Sequence, residues 1–221
     1  MTSFFKISSL MVAVAFLCSS VQADSFDYSD VSGTNIAYSN IFETTNTDDP
    51  LFGAPSASGD NLDFPSTGFS ANAVNEQVDF LNGTIDLVAT ANSGQTFNSV
   101  ELNEFGVYFN SGDSAMSSVT TFIFVTVDGE TFTDSITQTF EGTGSGAWNA
   151  SFKIEVPDTD SAIIQFHNIL LSSAGAGDVA SISKRDVDLV LNADGNPVPE
   201  PTAAVVLMAG LMGTALRRRR S

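Results

Sequence analysis

Polar and apolar residues alternate along most of the chain from residue 24 to residue 197, and no stretch there carries an apolar stripe with the period of a helix. A period of two is typical of strands that bury one face, and Val, Ile, Phe and Thr, which favour strands, are frequent. The alternation places Phe105, Val107 and Phe109 on one face of a strand. The pattern predicts strands over 35–42, 78–81, 85–88, 105–109, 119–127, 130–140, 148–156, 162–171 and 179–191.

Two-residue turn signals separate some of these strands. Asp128-Gly129 predicts a type I′ hairpin, because both central residues of that turn need a positive φ. Asn82-Gly83 predicts a second hairpin of the same kind. Residues 44–70 are rich in Asp, Pro, Gly and Ser and predict a long loop.

Eight or nine short strands with frequent turns predict an all-β fold. The expected architecture is a two-sheet β-sandwich that is jelly-roll-like, and an immunoglobulin-like sandwich is the alternative. The order of the strands does not follow from the pattern. The expected organisation is one ectodomain over 24–192 followed by a linker over 193–197.

The amino-terminal end has the composition of a secretory signal peptide. Lys6 precedes an apolar run over 7–18, and small residues follow it up to Ala23, after which cleavage is predicted. The one cysteine of the chain, Cys18, lies inside this segment. The exported protein is therefore expected to hold its fold without disulfides.

The carboxyl-terminal end combines three parts in a fixed order. Pro199-Glu200-Pro201 is followed by an apolar run over 202–216, which predicts a short transmembrane helix. Four arginines close the chain and are expected to stay in the cytoplasm, because positive flanks remain inside. These are Arg217, Arg218, Arg219 and Arg220.

Together, these three parts resemble the PEP-CTERM sorting signal of Gram-negative, biofilm-forming bacteria. The resemblance covers only 198–220 and carries no chemistry for the ectodomain. It implies that an exosortase, a membrane transpeptidase, handles the chain near the Pro-Glu-Pro motif. It also implies a precursor that is anchored in the inner membrane and then delivered to the cell surface or the extracellular matrix.

The charge of the ectodomain is strongly negative. All 26 acidic residues except Glu200 lie within 24–197, against Lys153, Lys184 and Arg185, so the ectodomain and linker together have a net charge of −22. Such a surface repels nucleic acid and anionic membranes, which argues against both as partners. The same charge is compatible with solubility outside the cell or with divalent cations.

Catalytic signals are sparse. His167 is the sole histidine, and no nucleophile motif accompanies it, so a satisfied or half-exposed strand histidine is expected. Paired carboxylates remain the enzymatic alternative, a glycan hydrolase, but Glu101 and Glu104 should point to opposite faces of their strand. The sequence thus favours a non-enzymatic protein that binds polysaccharide or calcium, with a passive structural protein as a further alternative.

Two kinds of ligand have candidate residues. Trp148 and Tyr108 are the candidate aromatic platforms for exopolysaccharide, although a core position is the commoner place for a tryptophan. Calcium prefers several oxygen ligands, which Asp-rich loops supply. The candidate calcium ligands are Asp60, Asp63, Asp158 and Asp160.

Overall fold

A computed structural model describes residues 23–66 and 68–194 of the chain. These residues form thirteen strands and, within these ranges, no helix that is long and apolar enough to cross a membrane. The predicted signal peptide, transmembrane helix and Arg cluster lie outside the described residues. The strands are β1 (Asp24–Asp27), β2 (Val31–Ser32), β3 (Ile36–Thr45), β4 (Ser56–Ser58), β5 (Asn61–Phe64), β6 (Ser70–Val74), β7 (Val78–Ala91), β8 (Thr96–Ser111), β9 (Met116–Val127), β10 (Glu130–Glu141), β11 (Gly144–Thr159), β12 (Ser161–Ser173) and β13 (Val179–Asp194).

The strands form two antiparallel sheets that enclose one apolar core, so the predicted all-β sandwich is confirmed. Sheet I has the order β1-β3-β7-β12-β9-β10, with β2 also paired to β3. Sheet II has the order β11-β8-β13-β5-β4, with β6 paired to β13 beside β5. The last strand, β13, continues to Asp194, which lies in the segment predicted as a linker.

The last eight strands wind between the sheets as in a jelly roll. In sheet II these strands have the order β6-β13-β8-β11, and in sheet I the order is β7-β12-β9-β10. Counted from β6, these are strands 1-8-3-6 and 2-7-4-5, which is the jelly-roll order. Neighbouring strands in each sheet are therefore mostly far apart in the chain. This arrangement is typical of two Greek keys that share one core. β1 to β5 extend the sheets at their outer edges.

Alternation of side chains accounts for the core. Strand β9 has the strict pattern in which every second residue is buried, because one face meets the opposite sheet and the other meets solvent. At the centre, the ring of Phe52 makes edge contacts with Phe64, Phe69 and Phe166 at centroid distances of 5.2–6.1 Å. Phe52 comes from the segment predicted as a long loop, which in fact contains β4 and β5 and contributes to the core.

The turn at Asp128-Gly129 has the predicted geometry. Both residues have a positive φ, of 52° and 84°, and the next residues on either side pair directly as Val127 and Glu130. Asp and Gly tolerate a positive φ, so the two residues at this turn meet its requirement.

The hairpin predicted at Asn82-Gly83 is wrong. Strand β7 runs through both residues without interruption and pairs with β12 opposite Asn168. A Cβ at Gly83 would lie only 2.9 Å from Cε2 of Phe52, which packs over this point of the strand. Glycine is thus needed here for a close approach of the core, and no turn is involved.

Candidate ligand-binding face

An exposed apolar strip lies on the outer surface of sheet II. Strand β8 turns Leu102, Glu104 and Gly106 towards the core, and the alternating residues between and beyond them face outward. Phe105 and Phe109 are 45% and 49% exposed, which is unusual for phenylalanine in a strand. Val107 lies between them, so the three residues form a continuous row.

Short side chains flank this row on both sides. On β11, Ser145, Ala147 and Asn149 lie directly opposite the row. On β13, Ser181, Ser183 and Asp186 are its cross-strand partners. We call the three outward residues of β8 with these six partners the ligand face. An open apolar strip beside hydroxyl, amide and carboxyl groups can contact the C–H face of a sugar and hydrogen-bond its hydroxyls at the same time.

Three carboxylates lie next to Phe105 at one end of the ligand face. Asp63, Asp186 and Asp188 offer oxygens that all lie within 4.8 Å of one another. β5 supplies Asp63, which pairs with Asp188 on β13, and Asp186 pairs with Phe105. Such a group can share a proton or provide oxygen ligands to a hard cation.

Two carboxyl groups of the cluster, those of Asp63 and Asp188, have a raised pKa. The pKa of Asp63 rises to about 6, chiefly because of burial, and further through its hydrogen bond and charge contact with Asp186 and the charge of Asp188. The pKa of Asp188 is also raised, by burial and by the charge of Asp186. The sequence pointed to Asp63 but missed the other two. Residues two apart in a strand share a face, so the spacing of Asp186 and Asp188 was the signal available.

Asp60, the expected partner of Asp63, does not belong to this cluster. Its carboxylate accepts hydrogen bonds from the backbone N–H of Asn35 at 2.5 Å and from Asn35 Nδ2 at 2.8 Å. Its backbone carbonyl accepts a hydrogen bond from the hydroxyl of Tyr38. Asp60 therefore fixes the turn before β3, and the predicted pairing of Asp60 with Asp63 is not found.

Asp158 and Asp160 lie at one end of the sandwich. They line an open cleft of about 420 Å³ together with the turn between β7 and β8 and with Asp128. The carbonyl of Asp160 accepts the backbone N–H of Ala91 at 2.8 Å, which joins two of the turns around the cleft. Among the residues that the structure describes, these aspartates are not part of a group of three close metal-ligating side chains.

Trp148 occupies a core position, the commoner of the two places considered for it, and does not offer an exposed ring. Trp148 is only 3% exposed and turns inward from β11, where Gly106 on β8 leaves room for its ring. A Cβ at Gly106 would lie 2.3 Å from that ring. Tyr108 is half-buried, and its ring stacks on Phe140 at a centroid distance of 4.0 Å. The exposed aromatic rings of this sheet are instead those of Phe105 and Phe109.

The two candidate catalytic features are kept apart. His167 lies on the outer surface of sheet I, 6.0 Å from the ring of Phe122, and burial lowers its pKa. Glu101 and Glu104 do point to opposite faces, as expected. Asn103 donates a hydrogen bond to Glu101 on the outside, whereas Glu104 forms an ion pair with Lys184 inside.

Comparisons with known proteins gave structural matches only. No family model matches the chain, and no curated protein matches it. Among solved structures, the VP2 subviral particle of infectious bursal disease virus is 15% identical over 78% of this chain and 36% of its own, with a TM-score of 0.36. The chain thus spans about a third of that capsid protein.

Two carbohydrate-binding modules are also similar in structure. A family 16 carbohydrate binding module is 10% identical over 59% of this chain and 85% of its own, with a TM-score of 0.27. TmCBM61, solved in complex with β-1,4-galactotriose, is 12% identical over 77% of this chain and 89% of its own, with a TM-score of 0.22.

Proposed function

We propose that this chain is an exported, non-enzymatic protein of the cell surface or extracellular matrix that binds polysaccharide through the ligand face. The observation that carries this proposal is the exposed row of Phe105, Val107 and Phe109 between two rows of mostly short polar side chains. Leaving two phenylalanines in water has no structural benefit for the sandwich, whereas covering them with a ligand removes apolar surface from water.

The shape of the face favours an extended ligand. Phe105 and Phe109 are four residues apart on one strand, which places their Cα atoms on the order of 13 Å from each other. That distance suits two contacts along a short stretch of a polysaccharide. The surface is open, so a chain can pass over it without the need for a free end.

The charge of the face selects the kind of polysaccharide. Asp63, Asp186 and Asp188 lie at one end of the row, and the ectodomain as a whole has a large negative charge. An anionic polysaccharide would be repelled by both. The proposed ligand is therefore a neutral glycan.

Replacement of both exposed phenylalanines tests this function. We expect Phe105→Ala/Phe109→Ala to weaken binding to a neutral polysaccharide at least tenfold, on the order of 1.4 kcal/mol, measured by calorimetry or affinity electrophoresis. The matched control is Phe80→Ala, which removes a phenylalanine that is 38% exposed on the opposite sheet and should leave binding unchanged.

The same assay separates the alternatives. Equal loss in the double variant and in the Phe80 control would show that the ligand face is not the site. Release of reducing ends from the polysaccharide would favour a glycan hydrolase. Absence of binding across a panel of neutral and charged glycans would favour a passive structural protein.

Delivery to the surface is the second part of the proposal and rests on the terminal sequence. We expect removal of 199–221 to change the location of the protein, from the envelope or matrix to the soluble fraction, without change in its thermal unfolding. A second variant replaces only Arg217 to Arg220 by Gln and should also change the location, because these residues belong to the signal. If the truncated chain fractionates as the full chain does, the sorting role is wrong.

A further inference from the structure

A buried charged pair lies between the two sheets, at the centre of the core. Lys184 Nζ on β13 is 2.7 Å from Glu104 Oε1 on β8, and both side chains are 0% exposed. Burying two charges costs several kcal/mol in desolvation, and apolar residues of similar size often stabilise a core better. Stability alone is therefore a weak reason for this pair.

Thr121 links the pair to a carboxamide on the opposite sheet. Thr121 Oγ1 on β9 lies 2.6 Å from Glu104 Oε2 and 3.2 Å from Oδ1 of Asn168, which is fully buried on β12. Asn168 Nδ2 is buried and has no hydrogen-bond partner among the described residues. One chain of contacts, from Lys184 through Glu104 and Thr121 to Asn168, thus joins an amine, a carboxylate and an amide across the two sheets.

Aromatic rings enclose the amine and change its chemistry. Lys184 Nζ lies 5.9, 5.5 and 5.8 Å from the ring centroids of Phe52, Phe69 and Trp148. Burial lowers the pKa of Lys184 to about 8, although the contact with Glu104 acts in the opposite direction. The neutral, nucleophilic form of the amine is therefore much more accessible than in an exposed lysine.

We propose that Lys184 and Asn168 form an intramolecular isopeptide bond, with Glu104 as the proton carrier. Lys184 first transfers its ammonium proton to Glu104, and the neutral Nζ then attacks Cγ of Asn168. Glu104 gives its proton to the departing NH₂ group and takes one from Nζ in return, so that an N–Cγ amide bond forms, the Cγ–Nδ2 bond breaks and ammonia leaves. No oxidation or reduction occurs, and no cofactor is needed.

The bond would join the two sheets of the sandwich covalently. β12 belongs to sheet I and β13 to sheet II, so the cross-link would pass through the core. The described residues contain no cysteine, which excludes a disulfide in this role. The reaction also removes the cost of the buried charges, because the product amide and the protonated Glu104 are both neutral.

Peptide mapping of the full chain tests this proposal directly. Between residues 24 and 197, trypsin cleaves an unreacted chain after Lys153, Lys184 and Arg185. The cross-link blocks cleavage after Lys184, so we expect a single peptide of residues 154–185 that is lighter by the mass of one ammonia. Cleavage after Lys153 serves as the internal control for digestion.

Two variants give signatures that a merely structural role would not produce. Asn168→Asp should give a 154–185 peptide of the same mass as the wild type, because loss of water from aspartate leaves the same amide. Glu104→Gln should restore cleavage after Lys184. The resulting peptide should have its full mass, with no loss of ammonia.

Two results would overturn the proposal. Cleavage after Lys184 in the wild-type chain at full mass would show that no bond forms. Loss of ammonia with cleavage after Lys184 intact would indicate a cyclic imide at Asn168. Neither result depends on the folding of a variant.

Discussion

Asp63 holds its proton at a higher pH than an ordinary aspartate, because burial, Asp186 and Asp188 all oppose its charge. Its pKa of about 6 in the folded chain exceeds the value of roughly 3.9 in an unfolded chain. The stability linked to this proton is fully present below the unfolded pKa and is lost as the pH rises through the folded pKa.

We therefore expect the free energy of unfolding to fall between about pH 4 and pH 6 through this group. Asp63→Asn should flatten that part of the profile, measured by urea unfolding at several pH values. Asp134→Asn, at an exposed position on β10, is the matched control and should leave the profile unchanged. An unaltered slope in the Asp63 variant would contradict the assignment.

Individual residues were predicted from sequence only as far as their neighbours are local. The opposite orientation of Glu101 and Glu104 follows from strand alternation alone, and it is correct. The choice between core and surface for Trp148 stayed open, because its burial depends on Gly106, a partner from another strand. The carboxylate partners of Asp63 were missed for the same reason, since they come from β13.

A buried carboxylate attaches residues 51–53 to sheet I. Glu43 on β3 is fully buried and accepts the backbone N–H groups of Leu51, Phe52 and Gly53 at 2.5, 3.1 and 3.4 Å. The hydroxyl of Tyr28 donates a further hydrogen bond to it at 2.5 Å. These contacts hold Phe52 in the core.

We expect Glu43→Gln to destabilise the fold by about 2 kcal/mol or more, because the amide group presents donors where the backbone requires an acceptor. Urea unfolding at neutral pH measures this change. Glu141→Gln, at the exposed end of β10, makes the same chemical change at the surface and should stay within about 0.5 kcal/mol of the wild type. Equal stability of the two variants would show that Glu43 does not hold this segment.

Strands and turns differ in how far their sequences determine them. Asp128-Gly129 forms the predicted turn because its requirement is local, a positive φ at two residues. Asn82-Gly83 carries the same signal, but Phe52 from a distant segment decides what the glycine does. The predicted long loop contains two short strands because β13 offers Asp63 and its neighbours a pairing edge.

The architecture of two sheets was predictable because every long strand must bury one face. The jelly-roll order was an expectation by analogy, since pairs such as β8 with β13 join residues that are far apart in sequence. The ligand face was visible in part, because alternation alone groups Phe105, Val107 and Phe109. Their exposure depends on what covers sheet II, which no local pattern contains.

The net charge of the ectodomain makes its stability sensitive to cations. We expect calcium to raise the Tm more than sodium chloride of equal ionic strength, because screening acts on all charges and coordination acts on a few. At a hundredfold excess over the Kd, a single site adds about 2.7 kcal/mol, which corresponds to a rise on the order of 5–10 °C.

The cluster of Asp63, Asp186 and Asp188 is where this effect should originate. Asp63→Asn should remove most of the calcium-specific part of the rise and retain the part due to sodium chloride. Asp158→Asn is the control for the cleft at the end of the sandwich. Equal rises with calcium and sodium chloride in the wild type would contradict the calcium prediction.

The central position of β13 has a mechanical consequence. This strand is the last of the described fold, and it is held by β8 along one side and by β5 and β6 along the other. A pull from the carboxyl-terminal end would act along the strand and load its many ladder hydrogen bonds in shear, so that they must break together. A chain tethered at that end would resist drag from flowing liquid far better than one whose last strand peeled from an edge.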